Sequence, residues 1–277
     1  MTTDGTGPLA LHTYRIGRTG QVPIVLLHGF PLDHRMWDDV VDLLMGERTV
    51  LAPDLPGLGA SPSGEDVADA LGAPAEPSIA TAADAVAATL RAAGIERAVV
   101  AGLSMGGYVA MALVERHPGL VAGLGLLDTK STADDDAARA NRLRIADAVL
   151  VDSAVDAVLG MSRALLGETS RALRPDLIDR LEQWIRDQGP AGIAWSQRAM
   201  AARPDRTDVL ARFGGPALVL VGEQDDLAPL AAARHLAAAL ATAELVVVPL
   251  AGHLSSIESP EPVAAALDAL VRRVGAL

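Results

Sequence analysis

Six short runs of the chain are apolar from end to end: residues 24–27, 49–52, 98–101, 124–127, 217–221 and 245–248. Alternating apolar and polar positions would mark a strand with one wet face. Unbroken apolar runs of this length mark strands covered on both faces, as in a parallel sheet. Helical spacing fills the gaps between them. Ile79, Ala83, Val86 and Leu90 fall on one helix face, with Ser78 placed to cap the start and Gly94 to stop it. At the far end, Ser259-Pro260 opens a helix carrying Val263, Leu267, Leu270, Val271 and Val274 on one side. The pattern predicts an α/β fold with a mostly parallel central sheet and helices on both faces.

Two stretches break the pattern. Residues 131–208 contain no strand-like run, and Leu177, Ile178, Leu181, Trp184 and Ile185 mark an amphipathic helix, so a helical insertion is expected there. Residues 61–77, rich in Pro, Gly and Ala, predict a mobile surface loop. At about 150 residues per domain, 277 residues would allow two. The pattern instead favours one core, residues 1–130 and 209–277, interrupted by the insertion at 131–208. No internal repeat is visible.

Composition narrows the function. Half of the residues are hydrophobic and 21% are charged, which excludes global disorder. A formal net charge of −12 provides no basic face for a phosphate backbone, so a nucleic-acid partner is not expected. The absence of cysteine excludes disulfides, thiolate metal sites and a cysteine nucleophile. Residues 1–17 lack the basic stretch and apolar run of a signal peptide, and no run reaches the roughly 18 apolar residues of a spanning helix. A cytoplasmic protein is expected, monomer or homo-oligomer, acting on a small molecule away from membranes.

Within this frame, Gly102-Leu103-Ser104-Met105-Gly106 has the G-x-S-x-G spacing of a nucleophile elbow, a strained strand-to-helix turn that lifts a serine oxygen clear of a sheet. Chance alone gives about 0.1 such matches in a chain of this composition, so context decides. A strand at 97–101 precedes the motif, and Tyr108, Ala110, Met111, Leu113 and Val114 make a helix after it, ending at His117-Pro118-Gly119. Serine is a poor nucleophile at neutral pH and needs a base, oriented in turn by a carboxylate. Of His12, His28, His34, His117, His235 and His253, only His253 lies in a loop just past a late apolar strand. His117 suits a helix end, His235 falls in a helical run and His12 in an N-terminal strand, all structural positions. For the carboxylate, Asp225 follows the strand before His253 and is preferred; Asp226 beside it and Asp128, at the end of the strand after the elbow helix, remain open.

Over residues 23–270 the chain resembles the α/β-hydrolase superfamily. His28-Gly29-Phe30-Pro31 is similar to the family's oxyanion loop and Asp54-Leu55-Pro56-Gly57-Leu58-Gly59-Ala60-Ser61 to its D-x-P-G-x-G-x-S turn, while Ser104, Asp225 and His253 stand in the family's chain order. The resemblance implies that the insertion is a cap and that the backbone N–H groups of Phe30 and Met105 hold an oxyanion. His28 is then expected to brace its loop, and the turn after Asp54 to be structural. With only 3% aromatic residues, the candidates for a substrate pocket are Phe30, Trp37, Met161, Trp184, Trp195 and Leu254.

The implied activity is that of a serine hydrolase acting on a small carboxylic ester or lactone through an acyl-enzyme, with no cofactor and no metal. Serine at 104 argues against the dehalogenase and epoxide hydrolase branches, which use aspartate there. Haloperoxidase or perhydrolase chemistry, amide or carbon–carbon bond hydrolysis, and a receptor with little turnover are the alternatives on the same residues.

Overall fold

The apolar runs all become strands in the computed structural model, which describes residues 7–18 and 20–276; Met1–Thr6, part of the segment read for a leader, lie outside the described residues. The strands are β1 (Leu11–Arg15), β2 (Ile24–Leu27), β3 (Val50–Pro53), β4 (Ala98–Leu103), β5 (Val121–Leu127), β6 (Ala217–Gly222) and β7 (Ala243–Val248). They form one sheet in the order β1-β3-β2-β4-β5-β6-β7, parallel except for β1, which pairs antiparallel with β3. Every residue of β2 to β6 is buried, as the unbroken apolar runs require. β7 departs from that expectation. It is an edge strand, and Val247 is 40% exposed because no neighbour lies beyond it.

This order positions the chemistry. The chain turns from β2 outward to β3 and then returns past β2 to β4, so the direction of winding reverses there and a crevice opens at the carboxyl ends of the strands. Leu27 pairs with Gly102, Leu103 with Leu127, and Gly222 with Val248, so the loops after β2, β4, β6 and β7 leave the sheet at the same edge.

The crossover helix Ile79–Ala92 starts where the sequence places it, with the Ser78 side chain accepting from the Thr81 N–H. Ser259 occupies the cap position of helix Pro260–Gly275, but its side chain makes no capping bond. Residues 61–77 are not the mobile loop expected. Gly64–Leu71 is a helix capped by Ser63, whose hydroxyl accepts from the Asp66 N–H and donates to the Asp66 carboxylate, a start signal hidden by the surrounding Pro and Gly. Val67 and Ala68 are buried, and Gly64 lies against the Trp195 ring, which an added Cβ would meet at 2.2 Å.

Between β5 and β6 the chain is helical, and the helices Asp136–Val151 and Pro190–Ala201 pack on each other. One of the closest contacts of this segment with the rest of the molecule is between two glycines. A Cβ on Gly192 would lie 1.8 Å from the Gly57 carbonyl oxygen, and Gly57, at φ +75°, adopts a left-handed conformation. Among the described residues no helix is long and apolar enough to cross a membrane.

The Gly57–Gly192 contact predicts that Gly192→Ala destabilises the protein by about 1–3 kcal/mol, the usual range for overpacking. Gly119→Ala, whose Cβ meets nothing within 4 Å, is the control and should leave the melting temperature where it is. Thermal unfolding of the two variants beside the wild type measures the difference.

Candidate active site

The turn after β4 places Ser104 at φ 52° and ψ −112°, a left-handed backbone that a residue with a side chain rarely adopts. The conformation is fixed from several directions. The Ser104 N–H donates to the Leu127 carbonyl at 2.9 Å, and its own carbonyl accepts from the Thr129 hydroxyl at 2.8 Å and the Gly107 N–H at 3.0 Å. Both motif glycines are required sterically: a Cβ on Gly102 would lie 2.1 Å from the Gly106 oxygen, and one on Gly106 would lie 2.1 Å from the Leu27 oxygen.

Loops after three strands then converge. His253 Nε2 lies 2.8 Å from Ser104 Oγ, and His253 Nδ1 lies 2.8 Å from Asp225 Oδ2. The other Asp225 oxygen accepts from the N–H groups of Leu227 and Ala228 at 2.8 and 2.9 Å. Burial raises the proton affinity of the Asp225 carboxyl, but the bond and charge of His253, with those two N–H donors, outweigh it and hold the group below the ordinary carboxylate range. Asp226, by contrast, is exposed. Asp128 is fully buried, accepts from the Gly222 N–H and is bonded to the Ser255 hydroxyl. Burial, reinforced by the Asp225 charge, pushes its carboxyl well above the usual range, so it is poorly suited to balance an imidazolium. Of the three carboxylates, only Asp225 is hydrogen-bonded to His253.

The backbone N–H groups expected to hold an oxyanion are those of Phe30 and Met105. Neither N–H donates to a protein acceptor among the described residues, although both residues are nearly fully buried. Unpaired N–H groups beside a reactive oxygen are what an oxyanion requires. His28 does not reach the serine. Its Nε2 accepts from the Leu55 N–H at 2.8 Å and its Nδ1 faces the Gly29 carbonyl at 3.1 Å, tying the loop after β2 to the turn after β3. Burial lowers the proton affinity of this imidazole, consistent with a neutral ring donating through Nδ1.

Comparison with known proteins identifies the family. The family model for the alpha/beta hydrolase fold matches residues 22–260. The chain belongs to the α/β hydrolase family. It is 34% identical to a thermophilic esterase from Thermogutta terrifontis solved with malate bound, with a TM-score of 0.87 over 96% of this chain and 93% of the other. The enol-lactonase from Burkholderia xenovorans LB400 is 26% identical, with a TM-score of 0.80 over 95% of this chain and 97% of its own. A pimeloyl-[acyl-carrier protein] methyl ester esterase of Aromatoleum aromaticum (strain DSM 19018 / LMG 30748 / EbN1) is 28% identical over 260 residues, 90% of this chain and 98% of that protein.

In this hydrolase Ser104 and His253 open into a cavity of about 350 Å³. Phe30 and Met161 line it; Trp37, Trp184, Trp195 and Leu254 are not among its lining residues. Trp37 and Leu254 are 0% and 1% exposed in the core, Trp195 is packed on Gly64, and the Trp184 ring lies between the guanidinium groups of Arg35 and Arg180. The cavity wall comes instead from smaller or polar side chains, including Tyr108, Asn141, Ile145 and Gln197. A stripe of large aromatics was a misleading signal in a protein whose few tryptophans are spent on packing.

Asp33, His34 and Asp54 are the one acid and histidine cluster among the described residues with metal-compatible spacing. Their atoms are already engaged: Asp33 with Arg35 and Gln188, Asp54 with His34 and the Ala60 N–H. The cluster knits the loop after β2, the turn after β3 and the helical segment together, and no metal is assigned to it.

Sequence reasoning missed Glu258. This buried carboxylate accepts from the N–H groups of Gly252 at 3.0 Å, Leu254 at 3.2 Å and Gly167 at 2.8 Å, bracketing His253 and joining it to the helical segment. The available signal was an acid five residues after His253, following Leu254-Ser255-Ser256-Ile257. Leaving buried N–H groups unpaired costs about 1–3 kcal/mol each. Glu258→Ala is therefore expected to lower stability by several kcal/mol and to speed amide hydrogen exchange at Gly167, Gly252 and Leu254, while the amides of β4 and β5 exchange at the rate set by global unfolding.

Proposed function

We propose that the protein is a cofactor-free serine hydrolase that cleaves small carboxylic esters or lactones through an acyl-enzyme. The observation that carries this reading is the unbroken Ser104–His253–Asp225 chain, 2.8 Å at each step, ending at a partly exposed hydroxyl on the wall of a small cavity. Esterase and lactonase relatives support it.

In this mechanism Ser104 Oγ attacks the substrate carbonyl as His253 Nε2 takes its proton. The carbonyl oxygen becomes an oxyanion and accepts from the N–H groups of Phe30 and Met105; each such donor typically contributes about 2.7–4 kcal/mol to the transition state. Asp225 keeps the proton of the imidazole on Nδ1 and stabilises the imidazolium. The tetrahedral intermediate collapses, His253 donates its proton to the leaving alkoxide, and the acyl group stays on Ser104. A water molecule then gives a proton to His253 and attacks the acyl carbon, and the reverse transfer frees the acid and Ser104. In a lactone the leaving alkoxide remains tethered to the acyl group.

The test is turnover of 4-nitrophenyl esters from short to long acyl chains. Serine-dependent activity should peak at short chains, as a cavity near the small end of the range for small-molecule sites requires. Ser104→Ala should abolish turnover without moving the melting temperature. Asp225→Asn should lower kcat about 10⁴-fold while the protein stays folded. Asp128→Asn should cost less than tenfold, because Asp128 makes no bond to His253 and an amide can still accept from the Gly222 N–H. Full activity in Ser104→Ala, or the reverse ranking of the two aspartates, contradicts the assignment.

A further inference from the structure

The cavity that holds Ser104 has a charged wall that the hydrolytic chemistry does not use. Lys130, Asp134 and Arg142 line it together with Ser104 and His253. Asp134 is almost completely buried, with its side chain 1% exposed, and serves several cations at once. Arg142 Nε lies 2.6 Å from its Oδ2, Arg203 Nη2 lies 2.7 Å from its Oδ1, and Lys130 Nζ stands 3.7 Å away, beyond hydrogen-bond reach. The two guanidinium groups hold the Asp134 carboxyl far below the ordinary range despite its burial, so it stays ionised.

Three cations therefore share one carboxylate, an excess of two positive charges around Asp134, and two of the three, Lys130 and Arg142, line the cavity. This occurs in a chain whose net charge is −12. Arg203 is spent on structure: it donates to the Met200 and Thr132 carbonyls and stacks 4.1 Å from the centroid of the Tyr108 ring. Arg142 is not spent. Its Nε and Nη1 are used, the latter toward Gln197 Oε1 at 3.2 Å, but its Nη2 donates to no protein acceptor among the described residues. Lys130 Nζ likewise has no hydrogen-bond partner among them. The neighbouring acids do not neutralise the pair, since Asp135 caps the helix after it, Asp136 faces Arg139, and Asp225 is bonded to His253.

From this wall we propose that the substrate carries a carboxylate group in addition to the ester or lactone it presents to Ser104, bound by Arg142 and Lys130. The inference rests on the hydrolase reading above and names its substrate class. A guanidinium edge and an ammonium in a partly dehydrated cavity favour a carboxylate over a neutral group of the same shape. Phe30, Ile145, Met161 and Met200, also on the wall, provide the apolar surface for the carbons joining the two functional groups.

The experiment compares mono-4-nitrophenyl adipate with 4-nitrophenyl 6-methylheptanoate, in which an isopropyl group replaces the carboxylate, subtracting the rate with Ser104→Ala. The anionic ester should have the larger kcat/KM by at least tenfold, chiefly through KM, and the advantage should shrink with added NaCl. Arg142→Met and Lys130→Met should each lower the ratio at least fivefold, and Arg142→Lys should restore part of it. Arg198→Met, a cation paired with Asp147 and absent from the cavity wall, should not change it. Adipate binding to the Ser104→Ala protein by calorimetry separates the two claims. Binding that is lost in the Ser104→Ala/Arg142→Met double variant supports the carboxylate site even if neither ester turns over, in which case the hydrolase reading alone fails. Turnover of both esters with no anionic preference, and no adipate binding, overturns the carboxylate site and leaves the hydrolase reading standing.

Discussion

A serine side chain carried on left-handed backbone is the constraint around which this molecule is organised. A conformation of this kind costs on the order of 1–3 kcal/mol and persists only where the surroundings over-determine it. Here the carbonyl of Leu127, the hydroxyl of Thr129 and the first turn of the helix Met105–Arg116 hold Ser104 from three sides. The helix can approach that closely only because Gly102 and Gly106 have no side chains: Gly106 lies against the backbone of β2 and Gly102 against Gly106 itself. The same close approach brings the start of that helix against the end of β2, where the loop carrying Phe30 begins. One packing constraint therefore fixes the serine turn and the helix that follows it against the end of β2.

The helical segment between β5 and β6 is tied to the chemistry through backbone contacts and buried carboxylates. The His253 N–H donates to the Leu165 carbonyl at 3.1 Å, and a Cβ on Gly252 would lie 2.1 Å from the Gly167 nitrogen. Glu258 bonds both sides of that contact. Gln188 in turn donates to Asp33 and accepts from the Gly59 N–H, joining the segment to the loop after β2 and the turn after β3. His253, the loop after β2 and the cavity wall thus share supports, and a change in how the segment seats would move all three.

What was legible in the sequence follows the same physics. Strands β2 to β6 could be read because strands buried on both faces must be apolar throughout, and the site serine because its turn demands glycines at fixed spacing. The antiparallel β1 and the helix Gly64–Leu71 were harder. A five-residue edge strand with two ring-bearing polar positions, His12 and Tyr14, has no unbroken apolar run, and the helix is embedded in residues that usually signal a loop. Asp225 could be separated from Asp226 and Asp128 only in three dimensions, where a 2.8 Å bond to His253 distinguishes it. The cavity was misread because large aromatics attract attention, whereas its wall depends on side chains far apart in sequence, such as Lys130, Arg142 and Gln197. Nothing in their local patterns indicates a shared surface.

The central claim is that Ser104 is a nucleophile activated by His253. Reaction with a fluorophosphonate, followed by intact-mass and peptide mass spectrometry, tests it without knowledge of the natural substrate. The account predicts a single phosphonyl adduct on Ser104, with the rate of labelling at least a hundredfold slower in His253→Ala. An adduct on another residue, or equal labelling rates in the two proteins, would contradict it.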